Sequence, residues 1–229
     1  MLNERVVLSL FDLSGTWSKP WHSAGYVVYQ VDLQHKAGII EVEKRLFLCG
    51  LDMLDMNDVL RITDAVPCPQ ILLATPPCDC FTRASSWLWA KMDAEGRTSR
   101  DLSLIKATLS LVRGLRPKVW ALENPPGRLW IQKGGGLLQD VLGPPVLRFN
   151  PWQFAGWVED SDAERYTKLT YLWGKFNPPP VHLKPLLPLP TKSKLDHISS
   201  LGSRSKALRA ITPKGFAEAF FRCNSGSSM

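Results

Sequence analysis

Residues 5–32 read RVVLSLFDLSGTWSKPWHSAGYVVYQVD: two apolar runs separated by a turn of small residues and a short mixed stretch. Runs of this length, rich in valine and leucine, are buried strands. The turn Ser14-Gly15-Thr16 leads into a short helix with Ser18 as its N-cap and Gly25 at its end. Strand, helix and strand in so little sequence are the start of a parallel pair joined by a crossover, so this stretch predicts an α/β fold.

Outward from it the alternation continues. Residues 45–49 and 70–75 (QILLAT) are two further strands. Residues 101–115 place Leu102, Ile105, Leu109 and Val112 at helical spacing, and 119–122 is the strand that follows. The succession is Rossmann-like. A core over 1–176 gives way to a Pro-rich and then basic, Ser-rich insert over 177–211. Residues 212–229 begin with Thr212-Pro213 and form a last amphipathic helix that packs Phe216, Ala219 and Phe220 back on the core. No internal repeat is present.

The bulk numbers narrow the classes. A chain of 229 residues with 45% apolar content buries one full core, and the excess of 28 Lys and Arg over 21 Asp and Glu favours a polyanionic partner. Five cysteines, at positions 49, 68, 78, 80 and 223, form an odd set without framework spacing; they are expected as reduced thiols, not as disulfides. No paired ligand spacing joins Cys68, Cys78 and Cys80 to a histidine, so no metal is expected. No apolar run reaches the ~20 residues of a membrane span, and residues 1–5 lack a signal-peptide pattern. The expectation is a cytoplasmic monomer without a membrane partner.

Ligands of doubly wound sheets sit at the carboxyl ends of the strands. There the chain carries Ser14, Gly15 and Thr16 after the first strand, Asp32 after the second, and Gly50 and Asp52 after the third, a rim suited to a nucleotide-like ligand. Taken singly, such residues are ordinary turns and solvated aspartates. After the next strand, Thr75-Pro76-Pro77-Cys78-Asp79-Cys80 presents a thiol on a proline-stiffened loop. After the one beyond, Glu123-Asn124-Pro125-Pro126-Gly127 presents a carboxylate in the same way. Adjacent strands would make Cys78 and Glu123 neighbours, and a thiol beside a carboxylate at a ligand-binding edge suits nucleophilic catalysis.

In these motifs the sequence resembles the DNA cytosine carbon-5 methyltransferases, and most of all their short bacteriophage and prophage members. Ser14 through Trp21, including Trp17, resembles the family's cofactor loop. Pro77-Cys78 resembles its nucleophile motif, and Glu123-Asn124-Pro125 its glutamate motif. Tyr166-Thr167-Lys168-Leu169-Thr170 with Leu172-Trp173-Gly174 resembles its later basic motif, and Arg209 through Lys214 the motif closing the recognition region. The resemblance implies a class I methyltransferase fold with a minimal recognition insert, S-adenosylmethionine as cofactor, and double-stranded DNA as partner with the target cytosine flipped out. It also implies a phage- or prophage-encoded protein in a bacterial cytoplasm.

The roles implied are Cys78 and Glu123 as catalytic residues, with Lys168 and Arg165 standing in for the family's arginine where this chain has Leu169. Ser14, Gly15, Thr16, Trp17, Asp32, Asp52 and Pro77 would bind the cofactor. Arg83, Lys192, Lys194, Arg204, Lys206 and Arg209 would meet nucleic acid, and Arg83 would also favour the thiolate. Trp87 and Trp89 are expected mainly as core. The cofactor loop is about two residues shorter than in the family. Three other readings stay open: an amino methyltransferase using Thr75-Pro76-Pro77, an RNA cytosine methyltransferase, and an inactive DNA- or cofactor-binding module.

Overall fold

The computed structural model describes residues 5–66, 68–182 and 210–226. At its centre lie β1 (Val6–Leu10), β2 (Val27–Val31), β3 (Gly38–Glu43), β4 (Leu46–Gly50), β5 (Ile71–Ala74), β6 (Val119–Asn124), β7 (Leu147–Phe149) and β8 (Thr170–Lys175). They form an eight-stranded sheet in the order β3-β4-β2-β1-β5-β6-β8-β7. The five strands from β4 to β6 are parallel neighbours. β3 runs antiparallel to β4, and β8 is inserted antiparallel between β6 and β7. The α-helices among the described residues are α1 (Lys19–Ser23), α2 (Met56–Ala65), α3 (Trp89–Ala94), α4 (Arg97–Leu115), α5 (Gln139–Leu142) and α6 (Lys214–Asn224).

The α/β, Rossmann-like reading holds. Because both faces of the sheet are covered, adjacent residues of one strand enter different cores. Val7, Val28, Ile71 and Leu73 pack on one face with Trp17, Trp21, Phe216 and Phe220, whereas Leu8, Val31 and Leu72 pack on the other with Ile62, Leu104 and Leu111. The last helix packs on the sheet, with Phe216 stacked on Phe149 at a ring-centroid distance of 4.1 Å.

Three boundaries differ from the sequence reading, and two elements are additional. The first apolar run, which as sequence reads as a strand over 5–13, ends as a strand at Leu10 because Phe11 adopts φ 60, which turns the chain off the sheet. The hairpin strand β3 and the helix α2 are additional; Arg45 at φ 69 closes the turn into β4, and Asp55 caps α2 by accepting from Asn57 and Asp58 N–H. α4 begins at Arg97, and β6 continues to Asn124, so that Glu123 lies inside the strand.

β1 is the branch point: β2 and β4 lie to one side of it, β5 and β6 to the other. The loops after β1 and β5 therefore diverge at the carboxyl edge, which makes the crevice where ligands bind in such sheets.

Candidate active site

The loop after β1 is fixed from beneath. Phe11 N–H donates to the Val31 carbonyl at 2.6 Å, and the Thr75 hydroxyl donates to the Phe11 carbonyl at 2.8 Å, so the left-handed turn is held by the ends of both neighbouring strands. Asp12, buried, accepts from the Ser9 and Ser18 hydroxyls at 2.8 Å each. Burial holds its carboxyl above the ordinary range, against the pull of those hydrogen bonds. Gly15 has φ +65, which favours glycine, and a Cβ there would stand 2.6 Å from the Gln30 side-chain nitrogen, so any other residue would also displace Gln30. Ser14 is exposed and accepts from Thr16 N–H at 3.2 Å. Next along the rim, Asp32 and Asp52 follow neighbouring strands; Asp32 Oδ1 accepts from Gln34 N–H and Asp52 Oδ1 from Leu54 N–H.

The loops after β5 and β6 are joined to each other. Asn124, fully buried, donates from Nδ2 to the Pro76 carbonyl at 3.4 Å. Arg83 N–H donates to the Pro126 carbonyl, and Thr82 bridges Gly127. A Cβ on Gly127 would lie 1.8 Å from the Phe81 carbonyl oxygen, so the close approach of the two backbones excludes every other residue there.

Three functional groups meet at this junction. Glu123, near the end of β6, pairs with Lys168, whose Nζ lies 3.7 Å from Oε1. The meeting follows from topology, since β8 is antiparallel to β6 and Lys168, just ahead of β8, enters at the edge where β6 leaves. The Asn150 side chain fixes Lys168 by accepting from its N–H at 3.0 Å. Cys78 feels both groups: its thiol is pushed up to about 12, first by burial and then by the Glu123 carboxylate, with Lys168 pulling the other way and Asp79 adding to the rise. The thiol is thus protonated at neutral pH, and Lys168 is the cation that favours its ionisation. Tyr166, buried close by, has its phenol raised by burial and then by the Glu164 and Glu123 carboxylates.

Of the residues singled out from sequence, Cys78, Glu123 and Lys168 come together, and Ser14, Gly15, Thr16, Asp32, Asp52 and Pro77 line the same carboxyl edge. Four expectations need correction. The Trp17 ring is 1% exposed and packs on Phe216 and Phe220, so it belongs to the core beneath the Ser14-Gly15-Thr16 turn. Arg165 pairs with Asp162 at 3.1 Å, which leaves Lys168 as the cation on Glu123. Arg83 is exposed, and the cation acting on the Cys78 thiol is Lys168. Trp87 is 79% exposed and not core, whereas Trp89 is half-buried beneath the Arg128 guanidinium. Lys192, Lys194, Arg204, Lys206 and Arg209 lie outside the described residues.

Asp12, Asn124, Arg128 and Tyr166 were not picked out as site residues. Asn124 and Arg128 act through partners 30 to 48 positions away, which no local spacing announces, whereas the Asp12 partners Ser9 and Ser18 lie within six positions of it. Among the described residues no group of three or more His, Cys, Asp or Glu side chains is placed to hold a metal ion, and no helix is long and apolar enough to cross a membrane.

No protein-family model and no curated protein matches the chain. Among solved structures it is similar to one described as a candidate DNA modification methyltransferase encoded within an E. coli prophage. The TM-score is 0.51 at 17% identity, over 80% of this chain and 53% of that one. The likeness is one of fold, a methyltransferase-like Rossmann sheet. This chain spans about half the length of that structure.

Proposed function

We propose that the chain is a DNA cytosine-5 methyltransferase that uses S-adenosylmethionine as methyl donor, with Cys78 as nucleophile. The observation that carries this reading is the convergence of Cys78, Glu123 and Lys168 at one junction on the carboxyl edge of the sheet. The resemblance in fold to a prophage-encoded candidate DNA modification methyltransferase supports it.

The rim after β1, β2 and β4 fits the cofactor in its donor set. Asp32 and Asp52 are carboxylates for ribose hydroxyls, the exposed Leu33 and Leu54 beside them suit an apolar base face, and the Ser14-Gly15-Thr16 turn allows close backbone approach. When bound, S-adenosylmethionine supplies an electrophilic methyl group. The residues of the chain make the cytosine ring able to accept it.

Cytosine carbon 5 is a poor nucleophile within an aromatic ring. Addition of the Cys78 sulfur to carbon 6 forms a C–S bond and moves the electrons of the carbon 5–carbon 6 double bond to carbon 5. The thiol must lose its proton for this; the Glu123 carboxylate accepts it, and Lys168 favours the loss. Negative charge spreads toward ring nitrogen 3 as the sulfur adds, and a proton held there by Glu123 relieves it. After methylation, loss of the carbon 5 proton to water restores the double bond and expels the Cys78 sulfur as thiolate, and the proton at ring nitrogen 3 returns through Glu123 to the thiolate. The attacked carbon is inaccessible inside a duplex, so the base is extruded into the site.

The test is hydrolysis of DNA incubated with the protein and S-adenosylmethionine, followed by mass spectrometry of the nucleosides. 5-Methyl-2′-deoxycytidine is the expected product. A methyl group found only on an exocyclic amine would replace this reading with the amino-methyltransferase one, and product formed only with RNA would move the substrate class. We further propose a short or degenerate sequence context and affinity that falls steeply with salt, because the 177–211 insert is small and basic and suits phosphate contact.

A further inference from the structure

We propose that Arg128 is a positioning residue that fixes the distance between the Cys78 loop and the Glu123 turn; the inference rests on the reading of those two residues as the reacting pair. Arg128 follows Glu123-Asn124-Pro125-Pro126-Gly127 on the β6 side, and nearly every polar group it has is spent on the β5 side. Its backbone N–H donates to the Phe81 carbonyl at 2.9 Å, and Nε donates to the Cys80 carbonyl at 2.7 Å, two residues from the nucleophile. The two terminal nitrogens donate to the two oxygens of Asp93 at 2.8 Å each, and one of them donates also to the Thr98 hydroxyl at 2.8 Å. The guanidinium lies 4.8 Å over the Trp89 ring.

That arrangement is more than an ion pair. Asp93 lies on α3 and Thr98 at the start of α4, so the guanidinium joins the glutamate turn, the cysteine loop and the two helices after it at one point. Its planar fork uses four of five N–H donors in fixed directions, which the single ammonium of lysine does not reproduce. The arginine side chain is 12% exposed, and its hydrogen bonds hold the Asp93 carboxyl below the ordinary carboxylate range. Cys80 and Phe81 remain buried by their own packing, so the fold does not depend on the clamp alone. What the clamp adds is the position of the four-residue stretch Cys78–Phe81 relative to β6.

The test uses the full chain with Arg128→Met and, as the milder change, Asp93→Asn, which leaves the Cys80 and Phe81 bonds in place. Arg128→Met is expected to lower kcat about 100-fold, the scale of a misplacement of roughly 1 Å at a reacting centre, with KM for DNA changed little. A purely structural role would not move a second readout, the pH profile of Cys78 alkylation. In the otherwise native protein Glu123→Gln shifts that profile to lower pH; in the Arg128→Met background the shift is expected to shrink, because the loops have parted. Asp93→Asn is expected to give an intermediate result on both measures. A full Glu123→Gln shift in the Arg128→Met protein, or in the Asp93→Asn protein should the first fail to fold, would overturn the proposal. So would a kcat that falls only in step with melting temperature. Because alkylation needs neither DNA nor cofactor, it can fail or succeed independently of which product nucleoside is found.

Discussion

The loops after β5 and β6 are held to one another by side chains as well as by backbone, whereas the segments after β2 and β4 meet through backbone alone and the carboxylates there each cap their own turn. At the first place, hydrogen bonds from Asn124, Arg83 and Arg128 cross from loop to loop, and Glu123 is shared with Lys168. At the second, Asp32 and Asp52 accept backbone N–H groups two residues ahead, and exposed leucines flank them. The difference follows the demands of the proposed reaction. Groups that act on a transition state must be positioned before the substrate arrives, whereas a cofactor rim can adjust around a ligand that brings its own surface.

If that contrast is right, substitutions on the clamped side act on turnover and those on the rim act on binding. The largest effect is expected from Cys78→Ala, which removes the thiol and should abolish methylation while DNA binding, measured by gel shift, persists. Cys80→Ala is the control: Cys80 is fully buried, and its change should appear chiefly in melting temperature. Methylation by the Cys78 variant and none by the Cys80 variant would reverse the assignment.

Glu123→Gln is expected to lower kcat by about 10²- to 10³-fold, the scale of removing one group that acts in the transition state. It should make the free thiol more reactive all the same. The carboxylate raises the Cys78 value and Lys168 lowers it, so loss of Glu123 shifts the alkylation profile to lower pH, and Lys168→Met shifts it to higher pH. In the native protein, alkylation should still be rising with pH beyond the ordinary thiol value of ~8.5. Shifts in the same direction for both variants would break the electrostatic account. The smallest effect is expected on the rim. Asp32→Ala should weaken S-adenosylhomocysteine by about 10- to 100-fold in calorimetry, the range of hydrogen bonds to a charged group, and leave DNA affinity unchanged.

The same contrast governs what could be read from the residues alone. Parallel strands announce themselves as apolar runs ending in small, proline-flanked loops, so the α/β fold and the placement of Cys78 and Glu123 at one edge were legible. The partnership of Lys168 with Glu123 follows from motif order only through the resemblance; its physical cause is the reversed strand β8, which nothing in the local pattern of 170–175 distinguishes from a parallel strand. Trp17 misleads because its neighbours Ser14, Gly15 and Thr16 form the turn at the carboxyl end of β1, whereas its own ring goes to Phe216 and Phe220. Trp87 misleads in the opposite sense: an apolar residue beside a buried loop is expected inside, and here it stands in solvent. The left-handed Phe11 depends on contacts with the ends of β2 and β5, so no window around it carries the signal; the partners of Asp12, Ser9 and Ser18, are close in sequence, but their spacing alone does not mark the carboxyl as buried.

The most direct test of Cys78 as nucleophile uses duplex DNA in which fluorine replaces the proton on carbon 5 of cytosine. With S-adenosylmethionine present, the proposed sequence runs to the final elimination and stops, because no proton remains there to leave. The account predicts a denaturation-resistant protein–DNA adduct whose peptide map places the bond on Cys78, absent in Cys78→Ala. Full methylation activity on ordinary DNA with no such adduct, or an adduct on Cys80, would contradict it.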